Sequence, residues 1–217
     1  MKKYNTQTNY PSPIKENQLT KEEKIEVIAG HFKCILNALG VDLTDCSVSK
    51  TPQRVAKMYV NEIFQGMDAE NFPSMTTLPN DKAHGAINHM IFVTVSFTSF
   101  CEHHFVPMHG HAYVAYKPTT KLIGLSKIPR LVRYFAKRPQ IQERLTAQIA
   151  DALSEVVESD SVAVSISATH FCVIARGIED QCSNTVTNVL KGDFEKDSSL
   201  RQEFFEAIQR ENQHNPR

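Results

Sequence analysis

The chain reads as an α+β protein: two N-terminal helices, then a strand-strand-helix-helix-strand-strand core, then a closing helix. Two observations carry this reading. Apolar residues recur at helical spacing up to about residue 66, and from about residue 89 the period drops to two. The connections between the later strands are short, which favours antiparallel pairing over long parallel crossovers.

The first 18 residues are polar, carry two prolines, and are expected to be a mobile arm. The first helix starts after Thr20, because Thr20 and Glu23 have the spacing of a capping box. Ile25, Ile28, Phe32, Ile35, Leu36 and Leu39 follow at helical intervals, and Gly40 is a natural stop. A second helix opens at Thr51-Pro52, read as N-cap and first helical position. It is expected to bury Val55, Met58, Tyr59 and Phe64 and to end at Gly66. Residues 67–88 hold Pro, Asn and Gly signals and read as a loop.

Ile91, Val93, Val95 and Phe97 then alternate with Phe92, Thr94, Ser96 and Thr98 as a strand. A second strand covers about 111–117, with the CEHH segment and Pro107–Gly110 in the turn between. Helices are expected from Ser126 to about Lys137 and over about 140–157. Val162, Val164, Ile166 and Ala168 form a third strand, residues 183–190 a fourth, and a last helix spans about 198–211. The spacing thus predicts a helical region over 19–88 and a sheet-bearing part over 89–217. Two helices cover one face of a four-stranded sheet. The other face and the edges need cover as well, from neighbouring subunits in a ring or from the chain's own N-terminal helices.

Of the 217 residues, 41% are apolar and 22% charged, and Lys+Arg equals Asp+Glu at 24 each. That balance gives no basic excess for nucleic acid and no sign of a membrane surface partner. The N-terminus lacks an apolar signal core, and there is no run of about 18 apolar residues. Five cysteines, an odd number, fit reduced thiols and metal binding better than a disulfide framework, so a cytoplasmic setting is expected.

The chemistry concentrates in Cys101-Glu102-His103-His104 and His170-Phe171-Cys172. Thiolates and imidazoles are zinc ligands, and a catalytic zinc keeps three of them and one open position. CEHH alone does not decide for a metal, but a second Cys and His at another strand end strengthen it. Cys101, His104 and Cys172 would fill three positions and leave His103 and His170 as proton carriers, with His109, His111 and Cys182 as competing ligands. A zinc-activated water is the chemistry such a set supplies.

A second group is cationic. Ser126 opens a helix with Lys127 and Arg130 in its first turn, where free N–H groups and the helix dipole favour an anion. Arg176 follows Cys172 by four residues, and Arg54 and Lys57 share a helix face. Any one of these is ordinarily a solvated charge; together they match what a triphosphate needs. Glu143, next to Gln142, has a carboxylate suited to the paired N–H donors of guanine. By residue type alone, a first-turn Glu stabilising a helix dipole is the stronger reading.

Three stretches, CEHHFVP, IGLSKIPRLVRYFAKRPQIQERLT and ATHFCVIARG, together with TPQRVAKMYVNEIF, resemble the GTP cyclohydrolase I family over roughly residues 20–210. The resemblance implies the tunnelling fold, assembled as a toroidal homodecamer of two pentamers. It also implies zinc-dependent conversion of GTP and water to 7,8-dihydroneopterin triphosphate and formate, the first step of pterin and folate biosynthesis. On the same basis Cys101, His104 and Cys172 match the zinc ligands, and His103 and His170 the acid-base histidines. Ser126, Lys127, Arg130 and Arg176 match triphosphate contacts, Arg54 and Lys57 match contacts from a neighbouring subunit, and Glu143 with Gln142 matches the guanine anchor. His111 and Ile174 depart from residues common in the family. Against this stand a catalytically silent zinc scaffold and a partial cyclohydrolase that stops at the formamide. The intact set of ligands and histidines speaks against the first, and product identity separates the second.

Overall fold

The structure is a computed structural model and describes residues 19–81 and 85–214. The arm expected over residues 1–18 lies outside them.

Helix α1 spans Lys21–Ala38, with both halves of the capping box formed: the Glu23 amide donates to Thr20 Oγ1 at 3.2 Å and the Thr20 amide to Glu23 Oε2 at 2.8 Å. Gly40 takes φ +78° just beyond the helix, a conformation glycine adopts without a Cβ penalty. The apolar stripe of α1 is not buried within the chain. Ala29 is the buried residue of α1, while Ile35 is 51% and Leu39 73% exposed.

Helix α2 covers Thr51–Met58 and runs directly into one π-helical turn, Tyr59–Ile63. Here Thr51 is the first helical residue instead of the cap, which is Lys50 and makes no side-chain cap bond. Pro52 sits where the missing N–H would have no intrahelical partner. Pro52 and Ala56 are buried, whereas Val55, Met58 and Tyr59 are only partly so. Gly66 ends this region for a reason beyond helix termination. Its amide donates to Lys137 O at 2.9 Å, its carbonyl accepts from Arg138 Nε at 2.7 Å, and a Cβ would lie 2.0 Å from Tyr134 O.

The segment expected to be a plain loop contains a short strand, β1 (Thr77–Pro79), which pairs antiparallel with β4 (Lys121–Ile123) as a separate two-stranded sheet. The main sheet has the order β5-β2-β3-β6-β7, formed by β2 (Ile91–Cys101), β3 (Pro107–Tyr116), β5 (Pro139–Gln140), β6 (Val162–His170) and β7 (Thr185–Leu190). The four long strands are antiparallel, as expected. The fifth is a two-residue parallel bridge in which Phe100 and Cys101 meet Pro139 and Gln140. Strand β3 starts four residues earlier than the sequence predicts, so Pro107–Gly110 is strand and not turn. Gly110 permits this, because a Cβ there would lie 2.1 Å from Ser167 O across the ladder.

Helices α3 (Lys127–Ala136) and α4 (Gln142–Val157) cover one face. Leu131, Phe135, Leu145, Ile149 and Leu153 pack there on Val95, Ala112, Val114 and Ile166, every one of them buried. The short α5 (Phe171–Ile174) follows β6 directly, and α6 (Asp193–Lys196) leads into α7 (Ser198–His214). Phe194 and Phe204 close part of the opposite face over Tyr113, Ala115 and Ala163. Strand alternation puts Ser96, Thr98, His109 and His111 on that opposite face too, beyond the reach of this second core.

Candidate functional site

The site forms where β2 and β6 end side by side on either side of β3. Met108 faces His170 in the register, and Phe100 faces Pro107. The turn after β2 closes tightly: Cys101 N donates to Val106 O and Phe105 N to Cys101 O, each at 2.9 Å. Phe105 takes φ +54°, a costly conformation for a bulky side chain. Its ring is held edge-on against Phe64 at 5.3 Å and meets Tyr59 at 6.4 Å, so the π turn buttresses the loop that carries His103 and His104.

Cys101, His104 and Cys172 offer ligand atoms within 4.8 Å of one another. Cys101 Sγ lies 4.0 Å from His104 Nδ1. Two thiols and an imidazole at this separation suit the donor preference and contact distances of zinc, with one tetrahedral position left over. Burial raises the affinity of the Cys172 thiol for its proton, and the neighbouring Cys101 adds to this, with Arg176 opposing. A divalent cation would invert that balance, because it stabilises the thiolates directly. His109 and His111 project from the opposite face of β3, with His109 Nδ1 at 2.9 Å from Thr98 Oγ1, and Cys182 is exposed.

His103 and His170 flank this group. His103 Nδ1 is 3.7 Å from Cys101 Sγ, and the His103 side chain is largely exposed. His170 closes β6, half-buried, and burial holds its ring below the ordinary imidazole range while Glu143 pulls the other way. Arg176 Nη1 is 3.1 Å from His104 Nε2. Glu143 is exposed in the first turn of α4. Gln142 is 1% exposed, and its carboxamide is taken up within the chain by His170, Ile166, Thr185 and Thr187.

Two residues that carried no role in the sequence reading tie the site together. Arg144 grips the Glu102 carboxylate through both terminal nitrogens, at 2.5 and 3.1 Å, and Glu102 N donates to Gln140 O at 3.0 Å. Glu102 stands inside CEHH and Arg144 inside QERLT, so each belongs to a stretch that carries site residues. An acid and a base 42 positions apart give no local sign of meeting.

The remaining cationic residues do not join this cluster within one chain. Ile123 N bonds the Tyr116 hydroxyl, and Tyr116 pairs with Ile91 at the far end of the sheet. Helix α3 runs back from there for 10 residues, about 15 Å, to the Phe100 end. Ser126, Lys127 and Arg130 therefore start at the end of the sheet away from Cys101 and Cys172. Arg54 and Lys57 are exposed on α2.

The family profile described as GTP cyclohydrolase I matches residues 28–209. A curated protein of Vibrio cholerae serotype O1 named GTP cyclohydrolase 1 is 50% identical over 198 residues, 91% of this chain and 90% of that protein. One from Aeromonas salmonicida with the same name is 50% identical over 198 residues, 91% of this chain and 89% of that one. One from Vibrio vulnificus, again so named, is 48% identical over 198 residues, 91% of this chain and 90% of the relative.

Proposed function

The chain belongs to the GTP cyclohydrolase I family, and on that premise we propose that it hydrolyses and rearranges GTP to 7,8-dihydroneopterin triphosphate and formate. The observation that carries this is the convergence of Cys101, His104 and Cys172 with His103, His170 and Glu143 at one end of the sheet.

Cys101, His104 and Cys172 would hold zinc. When bound there, zinc supplies a water made acidic enough to ionise near pH ~7. The other roles fall to the chain's own groups. Glu143 accepts from the N1 and N2 hydrogens of guanine, which orients the imidazole half of the purine toward the ligand cluster. His170 and His103 exchange protons with N7 and N9 as the five-membered ring opens to a formamide and formate departs. The ribose then rearranges in the Amadori sense, and ring closure gives the dihydropterin. Arg176 neutralises part of the triphosphate from within the same chain.

Ser126, Lys127 and Arg130, with Arg54 and Lys57, would reach the triphosphate from neighbouring copies in a toroidal decamer with the tunnelling arrangement. Two features support this: the distance of α3's first turn from Cys101 and Cys172, and the exposed apolar stripe on α1. The setting is cytoplasmic, in keeping with thiols used as ligands; no helix among the described residues is long and apolar enough to cross a membrane.

The test is GTP turnover by zinc-loaded protein, with formate and dihydropterin absorbance followed together and Cys101→Ala as control. Both products appearing, and both vanishing in the control, establishes the reaction. Formate without pterin would replace it with a truncated one, and neither product from folded, zinc-loaded protein would leave a silent scaffold.

A further inference from the structure

We propose that Gln142 is a positioning residue that fixes the tautomer of His170, keeping a proton on Nε2 and the lone pair on Nδ1. Its bearing on turnover rests on the acid-base role given to His170 above.

The hydrogen-bond directions around Gln142 can be assigned one by one. The Gln142 Nε2 atom lies 3.0 Å from Ile166 O, 3.0 Å from Thr185 O and 3.1 Å from Thr187 Oγ1. Two of these three are backbone carbonyls, which only accept. Turning the amide over would set its oxygen against both of them, so the nitrogen belongs where it is. The hydroxyls agree. Thr146 Oγ1 donates its one proton to Gln142 O at 2.7 Å, so in the 2.7 Å pair with Thr187 the donor is Thr187. That leaves Thr187 Oγ1 free to accept from Gln142 Nε2. The two amide hydrogens are shared among these three acceptors on β6 and β7, and the two carbonyls fix which way the amide points.

With the amide thus oriented, Gln142 Oε1 faces His170 Nε2 at 2.7 Å. A carboxamide oxygen cannot donate, so His170 Nε2 must. The neutral ring therefore carries its lone pair on Nδ1, and Nδ1 is the nitrogen that takes up and returns a proton. Gln142 is 1% exposed and Thr146 fully buried, while His170 and Thr187 are partly buried, so the device lies largely inside the chain. An edge of guanine would have to break it to reach the Gln142 amide. Gln142 therefore acts through His170, and guanine recognition is left to its neighbour Glu143.

The direct measurement is nitrogen-15 NMR of zinc-loaded full-length protein labelled in the histidine rings, at a pH where His170 is neutral, with His170→Asn to identify its signals. Protonated Nε2 and bare Nδ1 are expected; a protonated Nδ1, or a mixture of tautomers, would overturn the assignment. Gln142→Met keeps the volume and removes the acceptor. It should lower kcat at least about tenfold, part of the ~10²–10⁴ that positioned acid-base groups supply, with KM for GTP within about twofold. A raised KM at unchanged kcat would instead make Gln142 a guanine contact and sink the proposal. The nitrogen shifts of the unsubstituted protein decide the point even if Gln142→Met fails to fold. Absence of GTP turnover would defeat the functional reading without touching the tautomer.

Discussion

Arg144 and Glu102 form a two-point clamp between the first turn of α4 and the loop that carries His103 and His104. Their side chains are only 11% and 18% exposed, and the nitrogen-oxygen distances are 2.5 and 3.1 Å. A fork-to-fork pair of this kind fixes angle as well as distance. It sets Glu143, the proposed guanine anchor, in register with Cys101, the proposed ligand next to Glu102.

Arg144→Lys keeps the charge but gives up the second hydrogen bond. We expect it to lower kcat/KM by about tenfold or more while stability changes little, since lysine offers a point charge where the fork matched a plane. Arg144→Gln should also cost about 1.5–3 kcal/mol of stability, the range for a hydrogen bond to a charged group. Steady-state kinetics with thermal melts check both. Equal activity in Arg144→Lys and the unsubstituted protein would mean that the clamp does not position the site.

Acid should release the clamp. The Arg144 hydrogen bonds hold the Glu102 carboxyl below its ordinary value of 4.5, against opposition from burial. Because the folded state binds this proton more weakly than the unfolded one, the contribution is complete above about pH 4.5 and is lost as pH falls through the lower folded value. The melting-temperature gap between the metal-free protein and its Glu102→Gln variant should hold from neutral pH down to about 5 and close below that. A gap that persists in strong acid would contradict the assignment.

His103→Ala and His104→Ala should part company. The first is expected to retain zinc at full stoichiometry and lose turnover; the second should lose both. Metal content by atomic spectroscopy beside activity reads the difference, and loss of zinc in His103→Ala would overturn the division of roles. Chelation of the unsubstituted protein should abolish turnover reversibly, with zinc restoring it.

Gly110→Ala should be severely destabilising although it changes no polar group. A Cβ at this position meets Ser167 O at 2.1 Å and Ala168 Cα at 2.6 Å, both on the strand that ends in His170. Overpacking costs typically about 1–3 kcal/mol, and here the obstacle is backbone that cannot rotate away. Soluble yield and melting temperature check it; a variant as stable as the parent would show that β3 and β6 have room to part.

Much of this molecule was legible in its sequence because the signals are local. The Thr20–Glu23 capping box, the Gly40 stop and the alternation of Ile91 to Phe97 each sit within a few residues and are read without knowing the fold. Strand β1 was not legible, since its three residues gain their conformation from β4, more than 40 positions away. The π turn at Tyr59–Ile63 has no sequence signature of its own. The meeting of CEHH with His170 and Cys172 was expected from chemistry, and the β3–β6 register brings it about. The seclusion of Gln142 could have been read: Leu145, Thr146 and Ile149 follow it at helical spacing on the buried face of α4, while Glu143 points away.

The direction of α3 bears on inheritance as much as on structure. With Ser126, Lys127 and Arg130 at one end of the sheet and Cys101 and Cys172 at the other, a site in the proposed decamer would draw its metal half from one chain and its phosphate half from another. A Cys101→Ala chain and an Arg130→Ala chain, each inactive alone, would then regain part of the activity when expressed together, because some mixed assemblies contain a site whose metal half and phosphate half are both intact. Conversely, an allele defective in both halves would depress the output of a good one below one half, because a working site would need two sound neighbours.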